Sequence, residues 1–379
     1  MERQVNNMKG VLGILDCHNS CMLGELTADR PLASVSFLGR YAFCDFPLSN
    51  FCNSGIDNVG ILVKEHQRSI LKHLGNSMSW VNNTKLGRIS VFYNEKGQIN
   101  PAYNTDLANL KQNDWVIITS GCKYIVIQSA DVIMNADLEP YILEHIERGE
   151  KITSIYQEID DADEEFIGGN EYEIDSEDYL ITAKVNNGDH KKAKVALGTW
   201  IINRDIMQTI FDESEKVPAS YGLKEMIGYL AENGVFNVHC VPHTGYVRRI
   251  DSLQHYVQYS FELLDRNVSK QLFVPERPIY TTTHDTAPAL YGESSKITNS
   301  FIANGCVIEG QVSNSIVSRD VKVGKGAVVT NAILLSNVWV LDGARVEYSI
   351  VDKYSTVNEK HTIAGDSENL IYIKQGAKI

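Results

Sequence analysis

The chain has 379 residues, 43% of them hydrophobic and 22% charged, with a formal net charge of −13. This is an ordinary soluble composition, and the acidic balance argues against a nucleic-acid or anionic-membrane binder, since both need a basic surface. At roughly 150 residues per domain, the length predicts two or three domains.

The N-terminus MERQVNNMKG is polar, so no signal peptide is expected. No apolar run approaches the roughly 20 residues of a membrane-spanning helix. Seven irregularly spaced cysteines do not make a disulfide framework, and a reducing, cytoplasmic setting is expected.

Val11 to Leu15 reads as a buried strand, followed by the crowded stretch LDCHNSCMLGEL from Leu15. Asn58 to Val63 is a second strand, with a helical pattern over Glu65 to Leu74 behind it. Tyr124 to Gln128 is a third, ending at Ser129-Ala-Asp131, and Leu138 to Glu147 reads as an amphipathic helix. Alternation of this kind predicts an α/β domain with a mostly parallel sheet. Ligands in such sheets sit at the carboxyl ends of the strands, where both the crowded stretch and Asp131 fall. The acidic run Glu158 to Asp178 reads as a solvated surface excursion.

The last third has a different period. Asn299, Asn314, Asn331 and Tyr348 open short similar motifs at spacings of 15, 17 and 17. Val323, Val340 and Val357 recur at 17, as do Gly326 with Gly343 and Val329 with Val346. Such repeats of short β segments predict the coils of a parallel β-helix. The division expected is an α/β domain over 1–265, an extended linker over 266–292 and a coil domain over 293–379. Trp339 and Tyr348 are candidates for an oligomer face.

Cys17-x3-Cys21 with Asp16 and His18 would offer zinc ligands, but no second pair stands elsewhere, and ordinary loop residues are the plainer reading. A redox role for Cys17 and Cys21 would need a depressed thiol pKa. A β-helix acyltransferase would need a histidine base, and the coil region holds only His361, near its end.

The stretch Gly39-Arg-Tyr-Ala-Phe-Cys-Asp45-Phe-Pro-Leu-Ser-Asn50-Phe-Cys-Asn-Ser-Gly55-Ile resembles the G-[KR]-Y-R-x-x-D-F-P-L-S-N-x-x-N-S-G-I segment of ADP-glucose pyrophosphorylases, the glucose-1-phosphate adenylyltransferases. Arg277-Pro-Ile-Tyr280, Gly305 to Gly310 and Ile350-Val-Asp-Lys353 extend the resemblance nearly end to end. It implies a Rossmann-like (GT-A-like) nucleotidyltransferase domain followed by a left-handed β-helix, usually assembled as tetramers. It also implies the chemistry ATP + glucose 1-phosphate to ADP-glucose + pyrophosphate, by in-line attack on the α-phosphorus. Such attack calls for a glycine loop around the phosphates, a cation at the leaving group and carboxylates holding Mg²⁺.

The chain departs from the family pattern at each requirement. Aligned through Leu26-Thr-Ala-Asp-Arg30, the family's glycines fall on Asp16, Cys17, His18 and Ser20, and its leaving-group arginine falls on Met22. Of the metal carboxylates, Asp131 remains; the second belongs to a motif shortened here to Tyr246-Val-Arg-Arg-Ile-Asp251-Ser. No F-x-E-K-P stands between Glu171 and Ala196, and the glucose-contacting serine falls on Ala196 in Ala196-Leu-Gly198. The nucleotide motif survives as a remnant at Asn104-Thr105.

Together these losses resemble the noncatalytic GlgD-type subunits of the family in Firmicutes, which pair with a catalytic subunit and retune it. The implied partner is that catalytic subunit in a hetero-oligomer, with homo-oligomers also open. No cofactor is expected for this chain, with Mg²⁺ held by the partner and Asp131 a weak candidate for it. Arg40, Lys353 and Lys374 match basic positions where catalytic relatives bind anionic effectors, although the neighbouring family arginine falls on Ala42. The alternatives are an active sugar-1-phosphate nucleotidyltransferase with a rebuilt loop and, more remotely, a nonenzymatic scaffold.

Overall fold

The computed structural model describes residues 8–18, 23–82, 87–94, 100, 103–367 and 369–379. The N-terminal part is built on a nine-stranded mixed sheet. Its central strand β1 (Val11–Cys17) lies parallel to β2 (Asn58–Val63) on one side and to β4 (Tyr124–Ser129) on the other, and β3 (Arg88–Phe92) lies beyond β2. Every residue of β1 is buried. A strand covered on both faces carries a continuous apolar run rather than alternation, and VLGIL is such a run. Beyond β4 come β9 (Ala193–Asn203), antiparallel, then β6 (Ile152–Ile159), with β10 (Val238–Pro242) parallel to β6. The hairpin β7 (Asn170–Ile174) and β8 (Leu180–Val185) joins the same edge. A short pair, β5 (Val132–Met134) and β11 (Val247–Arg249), stands apart from the main sheet.

Four helices position the site. α1 (Asp45–Asn53) begins at the D-F-P-L-S-N motif, and α2 (Gln67–Leu74) starts two residues later than the pattern predicts. α3 (Asp106–Gln112) is N-capped by Thr105, whose hydroxyl accepts the Ala108 N–H at 3.1 Å. α4 (Glu139–Arg148) ends at Gly149, whose φ of +70° is the left-handed turn that glycine adopts without penalty.

Two expectations are corrected. The acidic run from Glu158 is not a solvated excursion: Ala162, Glu165, Phe166 and Tyr172 are buried and part of the run forms β7. The Asn186 side chain bonds the carbonyls of Ala162 and Glu165, and the Tyr259 hydroxyl bonds the Glu165 carboxylate, so the segment folds down rather than out. The stretch read as an extended linker opens with a helix, Arg266–Leu272, capped by Asp265, and ends in the strand Leu290–Tyr291; the prolines confine the extended part to the residues between.

The C-terminal part is a parallel β-helix of three five-stranded sheets. Like residues stack: Val312, Val329, Val346 and Ile363 pair in register along one sheet. Asn299, Asn314, Asn331 and Tyr348 all have positive φ, between 41° and 49°. The amide of Asn299 donates to Asn314 at 2.9 Å and that of Asn314 to Asn331 at 2.6 Å, a ladder that offsets the strain of the corner. The sequence repeat is therefore a corner repeat.

On the third sheet, Val317, Leu334 and Val351 point into the β-helix, while Ile316, Ile333 and Ile350 point outward. The outward column is buried against Leu26, Phe37, Phe46, Tyr256 and Leu272 of the N-terminal part, one apolar cluster spanning both. Inside this seam the Arg30 guanidinium grips Asp352 with two bonds, at 3.0 and 2.7 Å, and also bonds Gln375 at 2.7 Å. Asp352 takes further bonds from the Tyr372 hydroxyl and the Lys353 N–H. Breaking one side of a buried pair leaves the other charge uncompensated. Asp352→Ala is expected to lower unfolding free energy by roughly 3–5 kcal/mol. The double variant Arg30→Met with Asp352→Leu should lose clearly less, as urea unfolding of all variants would measure.

Candidate functional site

The carboxyl ends of β1, β2 and β4 converge beside α3. Asp16 lies level with Leu62 of β2 and Ser129 of β4. Its carboxylate accepts the His18 N–H at 2.9 Å and faces His18 Nδ1 at 3.2 Å. His18 Nε2 meets the Asn109 amide of α3 at 3.3 Å, and that amide also bonds the Val63 carbonyl. Asp106, on the first turn of α3, accepts the N–H groups of Leu107 and Leu223 at 2.7 and 2.9 Å. Burial, together with the negative charge of Asp16, pushes the Asp106 carboxyl up to about 7 against the opposing pull of His18. Side chains thus fill the strand ends where glycine backbone N–H groups would be needed to cradle phosphate, and two carboxyl groups stand there.

Cys17 does not join this group. Strand alternation turns it to the opposite face, into the apolar core. Burial first, and then Asp16, raise its thiol well above the ordinary value, the reverse of what a redox-active cysteine needs. Ser20, Cys21 and Met22 lie outside the described residues. Asn104 bonds the Lys64 carbonyl at 3.3 Å and Thr105 caps α3, so both serve the local fold.

Asp131, between β4 and β5, is paired with a cation of the chain itself. Arg249 Nε donates to its carboxylate at 2.9 Å, and the Ser129 hydroxyl donates at 2.5 Å. The pairing of β5 with β11 sets Arg249 opposite Val132, and its guanidinium continues to the Ile167 carbonyl at 2.8 Å. Mg²⁺ takes oxygen ligands in an octahedral shell. A guanidinium already holding the one carboxylate leaves a donor set that does not fit that ion. Beside it, Gly198 has φ +58°, and a Cβ there would come within 2.8 Å of the Ser129 side chain. Ala196 and Gly198 line, with Asp131, Gly169 and Arg249, a cavity of about 30 Å³. Ligand pockets are commonly about 300–1,000 Å³, so this one takes water and not a sugar phosphate.

Of the three basic candidates, Lys353 and Lys374 lie on neighbouring rungs of the β-helix, where the Lys353 carbonyl accepts the Gly376 N–H, and Arg40 lies on the N-terminal part. Arg40 lines a groove of about 460 Å³ between the two parts of the chain, with Tyr41, Thr281, His284, Phe301 and Arg319. Burial, with Arg40 adding, lowers the Arg319 guanidinium from its usual value. Lys353 occupies the coil corner equivalent to Arg319 two coils on, about 10 Å away at ordinary strand spacing. Burial, with Arg30 adding and Asp352 opposing, pushes its ammonium down to about 8, and Lys72 of α2 also acts on it. Lys374 is exposed, and its carbonyl accepts the Ser355 hydroxyl at 2.9 Å.

Residues 22–234 match the nucleotidyl transferase family and residues 286–370 a GlmU-like C-terminal hexapeptide family. The glycogen biosynthesis protein GlgD of Bacillus subtilis (strain 168) is 28% identical over 98% of this chain and 96% of its own length. GlgD of Geobacillus stearothermophilus is 30% identical over 84% of this chain and 82% of its own length. The glucose-1-phosphate adenylyltransferase of Clostridioides difficile (strain 630) is 30% identical over 83% and 82%. A nucleotidyltransferase sheet joined to a hexapeptide coil defines the class, and the chain belongs within it to the ADP-glucose pyrophosphorylase (glucose-1-phosphate adenylyltransferase) family that includes GlgD. The coil domain is accordingly the left-handed parallel β-helix expected. No helix among the described residues is long and apolar enough to cross a membrane.

Sequence reading missed Arg249, Asp106, Asn109 and Arg319. The paired arginines Arg248-Arg249, in place of an acidic D-V-G core, were the available signal for the first.

For Asp106 the sign of the pH effect is fixed. Its folded pKa of about 7 exceeds the usual aspartate value of about 3.9, so the folded state binds more protons between the two. Its contribution to stability is present at low pH and lost as pH rises through 7. Asp106→Asn is expected to flatten that fall, by up to about 1.4 kcal/mol per pH unit. Urea midpoints of the two proteins from pH 4 to 8 would check it; parallel profiles would refute it.

Proposed function

We propose that the chain is a regulatory, catalytically degraded subunit of glucose-1-phosphate adenylyltransferase in glycogen biosynthesis. It acts by contact with a catalytic subunit that forms ADP-glucose and pyrophosphate from ATP and glucose 1-phosphate. The observation that carries this reading is the Asp131–Arg249 ion pair, which puts a protein cation where the reaction needs a metal. The filled strand ends around Asp16 and His18 and the 30 Å³ cavity beside Ala196 point the same way. Mg²⁺ then belongs to the partner's site, and the assembly is a hetero-oligomer. A cytoplasmic setting suits this role. Retuning a partner requires different contacts with two of its states.

The purified chain is expected to make no measurable ADP-glucose with Mg²⁺, and to show no heat of Mg-ATP binding by calorimetry. Mixed with a catalytic subunit, it should change that subunit's rate or effector response. Substantial activity alone would favour the rebuilt-loop enzyme. No effect on the partner would favour the scaffold.

The groove between Arg40 and Arg319 supports a second, compatible role, binding of an anionic effector. Two guanidinium groups at a partly buried groove suit phosphate or sulfate oxygens. Arg319→Ala is expected to abolish the effector response of the mixed enzyme while leaving its basal rate unchanged.

A further inference from the structure

Cys44 is isolated in sequence from the other cysteines, but in space it has company. Its Sγ, Oδ1 of Asp45 and Nε2 of His73 all lie within 4.8 Å of one another, the single group of three such ligands found among the described residues. Cys44 and Asp45 come from the start of α1, and His73 from the last turn of α2. The Cys44 Sγ to Asp45 Oδ1 distance is 3.8 Å, and His73 Nε2 to Asp45 Oδ1 is 2.6 Å.

We propose that Cys44, Asp45 and His73 form a binding site for a borderline-soft divalent cation, zinc in the first instance, with a water molecule as fourth ligand. Zinc bond lengths of about 2.0–2.3 Å at tetrahedral angles put ligand atoms roughly 3.3–3.8 Å apart. The sulfur–oxygen pair already meets that spacing. The imidazole needs to open by under about 1 Å, replacing the Asp45–His73 hydrogen bond with two metal bonds.

Other features of the surroundings fit. The second carboxylate oxygen of Asp45 accepts the Ala42 N–H at 2.9 Å, a bond that holds a ligating carboxylate in orientation. Cys44 and Asp45 are fully buried, while the His73 side chain is 16% exposed, giving an entry path. The charges balance. Zinc with one carboxylate and one thiolate is neutral, one unit more positive than the metal-free site, so binding also offsets the attraction of Asp45 for the nearby Arg319. The Cys44 thiol proton leaves to solvent on binding, which is a cost the metal–sulfur bond must exceed. The mixture of sulfur, nitrogen and oxygen donors suits zinc and not Mg²⁺ or Ca²⁺.

The site would tie α1 to α2 behind Thr282, which lines the interdomain groove. There the Thr282 hydroxyl bonds the His73 carbonyl, and Gly39 packs on the Val317 carbonyl of the β-helix. The cation is thus structural, independent of the reaction discussed above.

The test uses the full chain, stripped with chelator, dialysed against zinc or cobalt(II) and analysed for bound metal. The expected result is a single zinc per chain, a sulfur-to-cobalt charge-transfer band with cobalt, and a raised thermal midpoint. Cys44→Ser and His73→Gln should each weaken zinc binding at least roughly tenfold, and Cys44→Ser should remove the band. Cys306→Ser, in the β-helix core, should leave all three readouts unchanged. If Cys44→Ser does not fold by circular dichroism, His73→Gln carries the test from a partly exposed position. No bound metal in the parent chain, or unchanged binding in His73→Gln, would overturn the proposal.

Discussion

The architecture depends on a buried ion pair, Arg30 with Asp352, set in an apolar seam. An isolated charge there would be expensive to desolvate. The guanidinium is matched by a bidentate carboxylate and Gln375, and the carboxylate by Tyr372 and a backbone N–H, so the donors and acceptors of the pair are engaged. Around it, the outward isoleucine column of the β-helix is covered by the N-terminal part. The non-directional apolar contact holds the two parts together, and the directional pair sets their register. Arg30 follows closely on Asp16 and His18 in the chain, so the seam and the strand ends of the sheet share one stretch of chain.

At those strand ends, buried polar groups of the chain face one another. Asp131 has Arg249; Asp16 has His18; His18 has Asn109; Thr105 caps the helix carrying Asp106 and Asn109. Each pairing satisfies a buried polar group that would be costly left alone. A site that must receive ATP keeps donors and cations in waiting, whereas a site that satisfies itself has no such reserve.

Much of this was legible in the residues. The period of 17 predicted the coils because stacked coils put like on like, and the structure adds that the asparagines sit at strained corners. The strands at Val11, Asn58 and Tyr124 were legible because they are buried on both faces. The acidic run was misread because Glu165 is buried through Tyr259, a partner 94 residues away. The helix at Arg266 was hidden by the prolines that follow it. Arg40 and Lys353 were grouped by motif, yet Arg40 lines the groove and Lys353 is not among the residues that line it.

The sequence by itself determined the class of fold, the seam's isoleucine repeat and the absence of the glycines, since periodicity and missing residues are local facts. Only the tertiary structure decided what stands in their place. An ion pair between Asp131 and Arg249, or a cluster of Cys44 with His73, joins residues far apart in the chain, and no spacing along a sequence encodes a distance across a sheet.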